Sequence, residues 1–107
     1  MKMNRQLGKL MKQAQAMQSR MAEIEEEISS REFTATAGGG VVEAVVNGRH
    51  ELKSIKIDPQ VVRPDEIDLL EDLILAAVNE AQRTAEAAVK AEMDKATGGM
   101  DLGGMLT

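Results

Sequence analysis

Residues 3–28, MNRQLGKLMKQAQAMQSRMAEIEEEI, carry the pattern that decides the first half of the fold. Apolar side chains recur there at alternating intervals of four and three residues, which is the a/d repeat of a helix that packs against another helix. The residues between them are mainly Lys, Gln, Ala and Glu, which favour a helix. The repeat consists of Met3, Leu7, Leu10, Ala14, Met17, Met21, Ile24 and Ile28.

The length of this helix, predicted over residues 3–29, has a consequence for quaternary structure. At 1.5 Å per residue it extends roughly 40 Å, which is too long to bury its stripe on a small sheet. Phe33 is the only aromatic residue of the 107, so the core depends on small aliphatic side chains that bury little area each. We therefore expect a homodimer whose interface contains Leu7, Leu10, Ala14, Met17, Met21 and Ile24.

The middle of the chain changes to a strand pattern. Residues 32–37 alternate, with Phe33 on the apolar face, and Gly38-Gly39-Gly40 ends the alternation. Residues 41–46 are rich in valine, and Asn47-Gly48 predicts a type I′ hairpin turn. A return strand over about residues 50–57 follows.

The register of the return strand stays open at this point. Ile55 and Ile57 share one face, whereas Leu52 has the opposite parity. A one-residue shift would exchange the two faces of the strand.

The last third of the chain predicts a second long helix. Pro64 suits the first turn, and the acids beside it suit the positive end of the helix dipole. An apolar stripe continues to about Ala96, and Gly98-Gly99 stops it. The prediction is an α+β fold in the order α-β-β-β-α with an antiparallel sheet, as one domain over residues 1–97 with a flexible Gly/Met-rich tail over 98–107.

Composition narrows the function classes. There is no cysteine, which excludes disulfides and thiolate metal sites and fits a reducing cytoplasm. No run approaches the 18 or so apolar residues of a membrane span. We therefore expect a cytoplasmic protein without a membrane partner.

Candidate catalytic and metal-binding residues are sparse. The only histidine, His50, lies beside a turn, and one imidazole without a thiol or second histidine is a poor metal ligand set. Glu25, Glu26 and Glu27 point about 100° apart on a helix and form a solvated band. Gly38-Gly39-Gly40 lacks the helix N-terminus and Lys-Ser/Thr of a phosphate loop. These observations predict a protein that is not an enzyme and has no metal, cofactor or small-molecule substrate.

The charge distribution is more informative than the net charge of −5. Residues 1–20 carry five bases and no acid, whereas residues 21–32 sum to −4 and residues 58–107 to −7. The five bases lie within an arc of about 80°, centred about 135° from the apolar stripe. Glu23 and Glu27 occupy the same arc farther along. A solubilising charged face would also explain the pattern, but bases at a helix start oppose the helix dipole, which favours a functional role.

We therefore predict contact with the phosphate backbone of duplex DNA by this segment. Lys90 and Lys95 would join it if the end of the last helix lies beside the start of the first. The predicted DNA-binding residues are Lys2, Arg5, Lys9, Lys12, Arg20, Lys90 and Lys95.

Five motifs, in order, resemble the bacterial nucleoid-associated YbaB/EbfC family. They are LMKQAQ at 10–15 with Met17, the glycine turn before Val41-Val42, VNG at 46–48, IDP at 57–59, and LEDL at 70–73 followed by AAVN at 76–79. The likeness extends from about Leu7 to Ala96. Glu43 departs from it, since relatives often carry Lys there, which argues against DNA contact by the sheet.

The resemblance implies a helix–three strands–helix subunit and an intertwined, tweezer-shaped homodimer. It also implies binding to duplex DNA with little sequence preference, and a role in nucleoid organisation or gene expression. The alternative is a helical scaffold that binds other proteins through its heptad stripe, without DNA.

Overall fold

The computed structural model describes the backbone of residues 2–96 and the side chains of residues 4–96. Helix α1 spans Lys2–Ser29, and helix α2 spans Ile67–Ala96. Between them lie strands β1 (Glu32–Ala37), β2 (Val42–Asn47) and β3 (Leu52–Ile57). Two short 3-10 turns, Pro59–Val61 and Pro64–Glu66, precede α2. The predicted α-β-β-β-α order is confirmed, and the predicted tail over 98–107 lies outside the described residues.

The three strands form one antiparallel sheet in the order β1-β2-β3. An irregularity beside Val45 and Val46 shifts the β2–β3 register, so that Val46 faces Leu52 while Val45 faces Ser54. The extra residue is Lys53, and such a bulge changes the parity of the strand. Leu52 therefore shares a face with Ile55 and Ile57, which resolves the register left open by the alternation.

Helix α2 covers only part of the sheet. It packs on β1 and β2, where Val42, Ala44 and Val46 are fully buried against Ala77, Ala81 and Ala85. Alanines on the helix let its backbone approach the strands closely, because their side chains are short. Strand β3 lies at the open edge, and its inward-facing Leu52 and Ile57 remain exposed.

The β2–β3 connection differs from the predicted two-residue turn. Residues 48–51 form a longer loop, and the residue with a positive φ is His50 (65°), not Gly48. Asn47 organises the loop, because its side-chain oxygen accepts hydrogen bonds from the backbone N–H groups of Arg49 (2.9 Å) and Glu51 (3.0 Å). Its amide nitrogen donates to the Glu51 carboxylate at 2.8 Å. The type I′ prediction was wrong because side-chain hydrogen bonds stabilise this wider loop.

Gly48 has a packing role instead of a conformational one. A Cβ at this position would overlap the backbone carbonyl of Ile28 in the last turn of α1. The hairpin loop and the end of α1 therefore touch backbone to backbone. This contact requires glycine and fixes where α1 leaves the sheet.

Arg31 makes the second attachment of α1. Its guanidinium lies 3.8 Å from the Glu92 carboxylate and 5.4 Å from the centre of the Phe33 ring. Ile28, one turn earlier, is buried in the core. The end of α1 is thus held against the end of α2 and the start of β1.

The rest of α1 projects from the domain. The chain is 78 Å long in its greatest dimension, whereas α2 extends only about 45 Å at 1.5 Å per residue. Every described side chain from residue 4 to residue 20 is exposed. Among the described residues, nothing covers the predicted interface residues Leu7, Leu10, Ala14 and Met17, while Met21 and Ile24 are half-buried.

Candidate nucleic-acid interface

The basic segment lies on the projecting part of α1. Arg5, Lys9, Lys12 and Arg20 are all exposed, and none forms an ion pair with another residue whose side chain is described. The Lys2 side chain lies outside the described residues. A regular helix over Lys2–Ser29 keeps these bases on one face. Four unpaired cations along one helix face form a surface suited to phosphate groups.

The same face becomes acidic towards the domain. Glu23 and Glu27 are exposed, and neither has a basic partner among the described side chains. Screening at physiological salt limits their repulsion to about 8–10 Å. The basic half of α1 can therefore attract an anion despite the acidic domain behind it.

Lys90 and Lys95 do not join this basic segment within one chain. Helix α2 runs antiparallel to β1, since Leu73 near its start lies beside Gly38 and Glu92 near its end lies beside Arg31. Its end is consequently next to the end of α1, about 39 Å along the helix axis from Lys2 at 1.5 Å per residue. Lys95 also lies 3.7 Å from Glu92. Lys90 and Lys95 were predicted to extend the basic segment only if the end of α2 lay beside the start of α1. In the single chain it lies beside the end of α1 instead.

The outward face of the sheet is a mixed surface. Glu43 lies between Thr36 of β1 and Lys56 of β3 in the strand register. Its carboxylate offsets the neighbouring ammonium group on that face. The sheet therefore offers less attraction to phosphate than α1 does.

Concave sites suited to small-molecule chemistry are poorly developed in the part of the chain that is described. One open groove of about 520 Å³ lies where the end of α1 meets the hairpin loop, and its lining includes Glu25, Glu26 and Arg49. Within residues 4–96, no cluster of three or more His, Asp or Glu side chains is arranged to hold a metal ion. Within the same range, no helix is both long and apolar enough to span a membrane.

Two features of the structure were not predicted from the sequence. The Arg31–Glu92 ion pair beside the end of α1 joins residues far apart in sequence and leaves no local pattern. The exposed apolar face of β3 was hidden because the bulge at Lys53 changes the strand parity. The sequence does contain a sign of that bulge. In the segment LKSIKI at 52–57, Leu52 is at an even position whereas Ile55 and Ile57 are at odd positions.

Known proteins are similar to this chain over most of its length. Residues 2–100 match the model of the YbaB/EbfC DNA-binding family. A nucleoid-associated protein of Clostridium acetobutylicum is 48% identical over 99 residues, covering 92% of this chain and 88% of its own length. A nucleoid-associated protein of Paramagnetospirillum magneticum is 51% identical over 96 residues, covering 90% of each chain.

A crystal structure of an uncharacterised protein from Helicobacter pylori has the same fold. The TM-score is 0.61 at 23% identity, and the likeness covers 73% of this chain and 90% of that one. These comparisons support the resemblance found in the five motifs and do not favour a protein scaffold. The chain belongs to the YbaB/EbfC DNA-binding family.

Proposed function

We propose that this protein binds duplex DNA as a homodimer, with the basic face of α1 against the phosphate backbone. The observation that carries the proposal is the run of five bases without an acid over residues 2–20, on a helix that projects from the domain. Its relatives are named nucleoid-associated proteins. The function assigned is therefore to affect DNA conformation, nucleoid organisation or gene expression in the bacterial cytoplasm.

The chemistry of α1 favours backbone contact over recognition of bases. Residues 2–20 contain no aromatic side chain that could stack on an unpaired base. Charge alone suffices to bind phosphates and displace counterions, and such contacts carry no direct sequence information. Binding requires no cofactor, and it depends on where the charges lie.

The homodimer doubles these charges. One α1 presents Arg5, Lys9, Lys12 and Arg20, together with Lys2, and a two-fold axis supplies a second set. The exposed stripe of Leu7, Leu10, Ala14 and Met17 favours pairing with a second chain, because no residue in the described part of the subunit covers these side chains. The half-buried Met21 and Ile24 extend the proposed interface towards the domain.

DNA binding should depend steeply on salt and weakly on sequence. If a dimer engages six to eight phosphates, a plot of log K against log salt concentration should have a slope of roughly −5 to −7. Gel shifts on several unrelated duplexes at a series of salt concentrations measure both properties. A scaffold protein would show no salt-sensitive retention of DNA, and strong preference for one short site would contradict backbone recognition.

The dimer should depend on the stripe of α1. Replacing Leu10 by lysine puts a charge into the proposed seam, and we expect at least tenfold weaker dimerisation, which corresponds to roughly 1.4 kcal/mol. Leu10 is 62% exposed in the single chain, so the subunit should stay folded. Light scattering and analytical ultracentrifugation give the association state, and Gln15→Lys adds the same charge on the opposite side of α1. A stable wild-type monomer at micromolar concentration would overturn the dimer.

A further inference from the structure

The Asn47-Gly48 pair at the β2–β3 loop has chemical reactivity as well as a structural role. An asparagine that precedes glycine can cyclise, because glycine lacks a Cβ and its backbone nitrogen can approach the asparagine side chain closely. The Gly48 nitrogen attacks Cγ of Asn47, the bond from Cγ to Nδ2 breaks, and the amide proton of Gly48 leaves with Nδ2 as ammonia. One water molecule then opens the succinimide ring to aspartate or to isoaspartate.

The backbone of the folded chain keeps the two reacting atoms apart. Ring closure requires Cβ of Asn47 to eclipse the Gly48 nitrogen about the Cα–C bond, whereas an extended strand residue is roughly 100° away from that arrangement. Asn47 is the last residue of β2. Its N–H donates to the Glu51 carbonyl and its carbonyl accepts from the His50 N–H, both at 3.0 Å. The Cα–C bond therefore cannot rotate that far unless the loop opens.

The side chain of Asn47 is held at both ends. Its Oδ1 accepts from the backbone N–H groups of Arg49 and Glu51, and its Nδ2 donates to the Glu51 carboxylate at 2.8 Å. Hydrogen bonds to a charged acceptor are stronger than neutral ones. Asn47 is also only 8% exposed, which limits the access of water to Cγ. The closed loop thus suppresses a reaction that its sequence permits.

The product of deamidation no longer fits the closed loop. An aspartate at position 47 places a carboxylate where the Asn47 amide now lies 2.8 Å from the Glu51 carboxylate. Glu32, directly opposite on β1, adds a third acid to the same face, and like charges opposite each other destabilise a sheet. An isoaspartate lengthens the backbone before Gly48, which has no free space against the Ile28 carbonyl. Either product weakens the attachment of the end of α1.

We propose that Asn47 is a modification site, at which deamidation occurs when the loop opens and afterwards prevents the loop from closing as before. The loop then acts as a one-way switch. The closed form protects the asparagine, and each reaction in the open form converts one chain covalently to a form in which α1 is loosely attached. Local opening of a few hydrogen bonds does not require unfolding of the domain, and the only co-reactant is water.

Peptide mapping by mass spectrometry measures the protection. Deamidation of Asn47 at physiological temperature should be at least about tenfold slower in the folded wild-type protein than in guanidinium, which removes the hydrogen bonds of the loop. Asn79 is the internal reference, because it precedes Glu80, whose side chain hinders the attack. Equal rates for Asn47 in the folded and denatured protein would overturn the inference. So would a rate in guanidinium that is no higher for Asn47 than for Asn79.

Glu51→Ala tests the hydrogen bond that holds the amide nitrogen. We expect deamidation of Asn47 in the folded variant to be at least about fivefold faster than in wild type, because loss of a hydrogen bond to a charged group favours the open loop. Glu43→Ala makes the same chemical change on β2, four residues before Asn47, and should stay within about twofold of wild type. Circular dichroism checks that both variants fold. Equal rates in the two variants would contradict the proposed protection.

Asn47→Asp reproduces one product and tests the switch separately. Amide hydrogen exchange in the loop and in the last turn of α1 should be at least about tenfold faster than in Asn79→Asp, which adds the same charge at an exposed position of α2. This comparison does not depend on the rate of deamidation. If the two variants exchange equally slowly in these segments, the modification does not loosen α1 and the switch is wrong.

Discussion

Replacing Lys9 and Lys12 by glutamate should remove most DNA binding while the subunit stays folded. A dimer then loses four positive charges and gains four negative ones on the proposed DNA surface. Each lost phosphate contact lowers the steepness of log K against log salt by about one, so we expect the magnitude of the slope to fall by about four. Gel shifts of wild type and variant over a salt series measure this change. Both lysines are exposed and lie off the apolar stripe, so circular dichroism should be unchanged.

The matched control changes the acidic half of the same face. Glu23→Gln/Glu27→Gln removes two negative charges per chain, and binding should stay the same or become slightly tighter because phosphate repulsion is reduced. The two double variants together locate the contact along α1. If Lys9→Glu/Lys12→Glu still retards duplex DNA at wild-type concentrations, the DNA site lies elsewhere, on the sheet, on α2 or in residues 97–107.

Replacing Gly48 by alanine should destabilise the protein strongly. The added Cβ would overlap the backbone carbonyl of Ile28, and neither a hairpin loop nor a helix end can move aside as a flexible side chain would. We expect a loss of about 3 kcal/mol in the free energy of unfolding, at the upper end of overpacking substitutions. Thermal unfolding should show it as a fall in melting temperature of about 10 °C or more for a domain of this size.

Gly8→Ala is the control, since it makes the same chemical change where nothing lies within 4 Å. Gly8 is inside α1, and alanine there should stabilise the helix by about 0.8–1 kcal/mol because glycine has the greater freedom in the unfolded chain. The two substitutions are thus expected to have opposite signs. Both proteins must be compared at equal concentration, because dimerisation contributes to the apparent stability. If Gly48→Ala were as stable as wild type, the attachment of α1 to the hairpin would be wrong.

Local patterns in the sequence determined the elements and the charge map. The a/d repeat predicted α1 over 3–29, and the helix observed is Lys2–Ser29. Strand limits were predicted in the same way: the alternation at 32–37 matches β1, and Asp58-Pro59 follows the end of β3 directly. Periodicity and the backbone restriction of proline act within a few residues, so both are visible in the sequence. The separation of a basic start from an acidic end on α1 was likewise visible in the sequence, since a regular helix fixes which residues share a face.

Only the tertiary structure decided how these elements meet. The Lys53 bulge and the Gly48–Ile28 contact depend on pairing and packing between separate segments, which no local period encodes. The loop after Asn47 is held by side-chain hydrogen bonds within residues 47–51, which an apolar/polar period does not encode either. The antiparallel course of α2 along β1 placed Lys90 and Lys95 beside the acidic end of α1, and it placed the start of α2 at the other end of the sheet, beside Gly38. The sequence therefore determined which charges each helix carries. The positions of those charges relative to each other depend on how the end of α1 meets the hairpin loop at Gly48 and Ile28, because a small change of angle there displaces the far end of a long helix by a large distance.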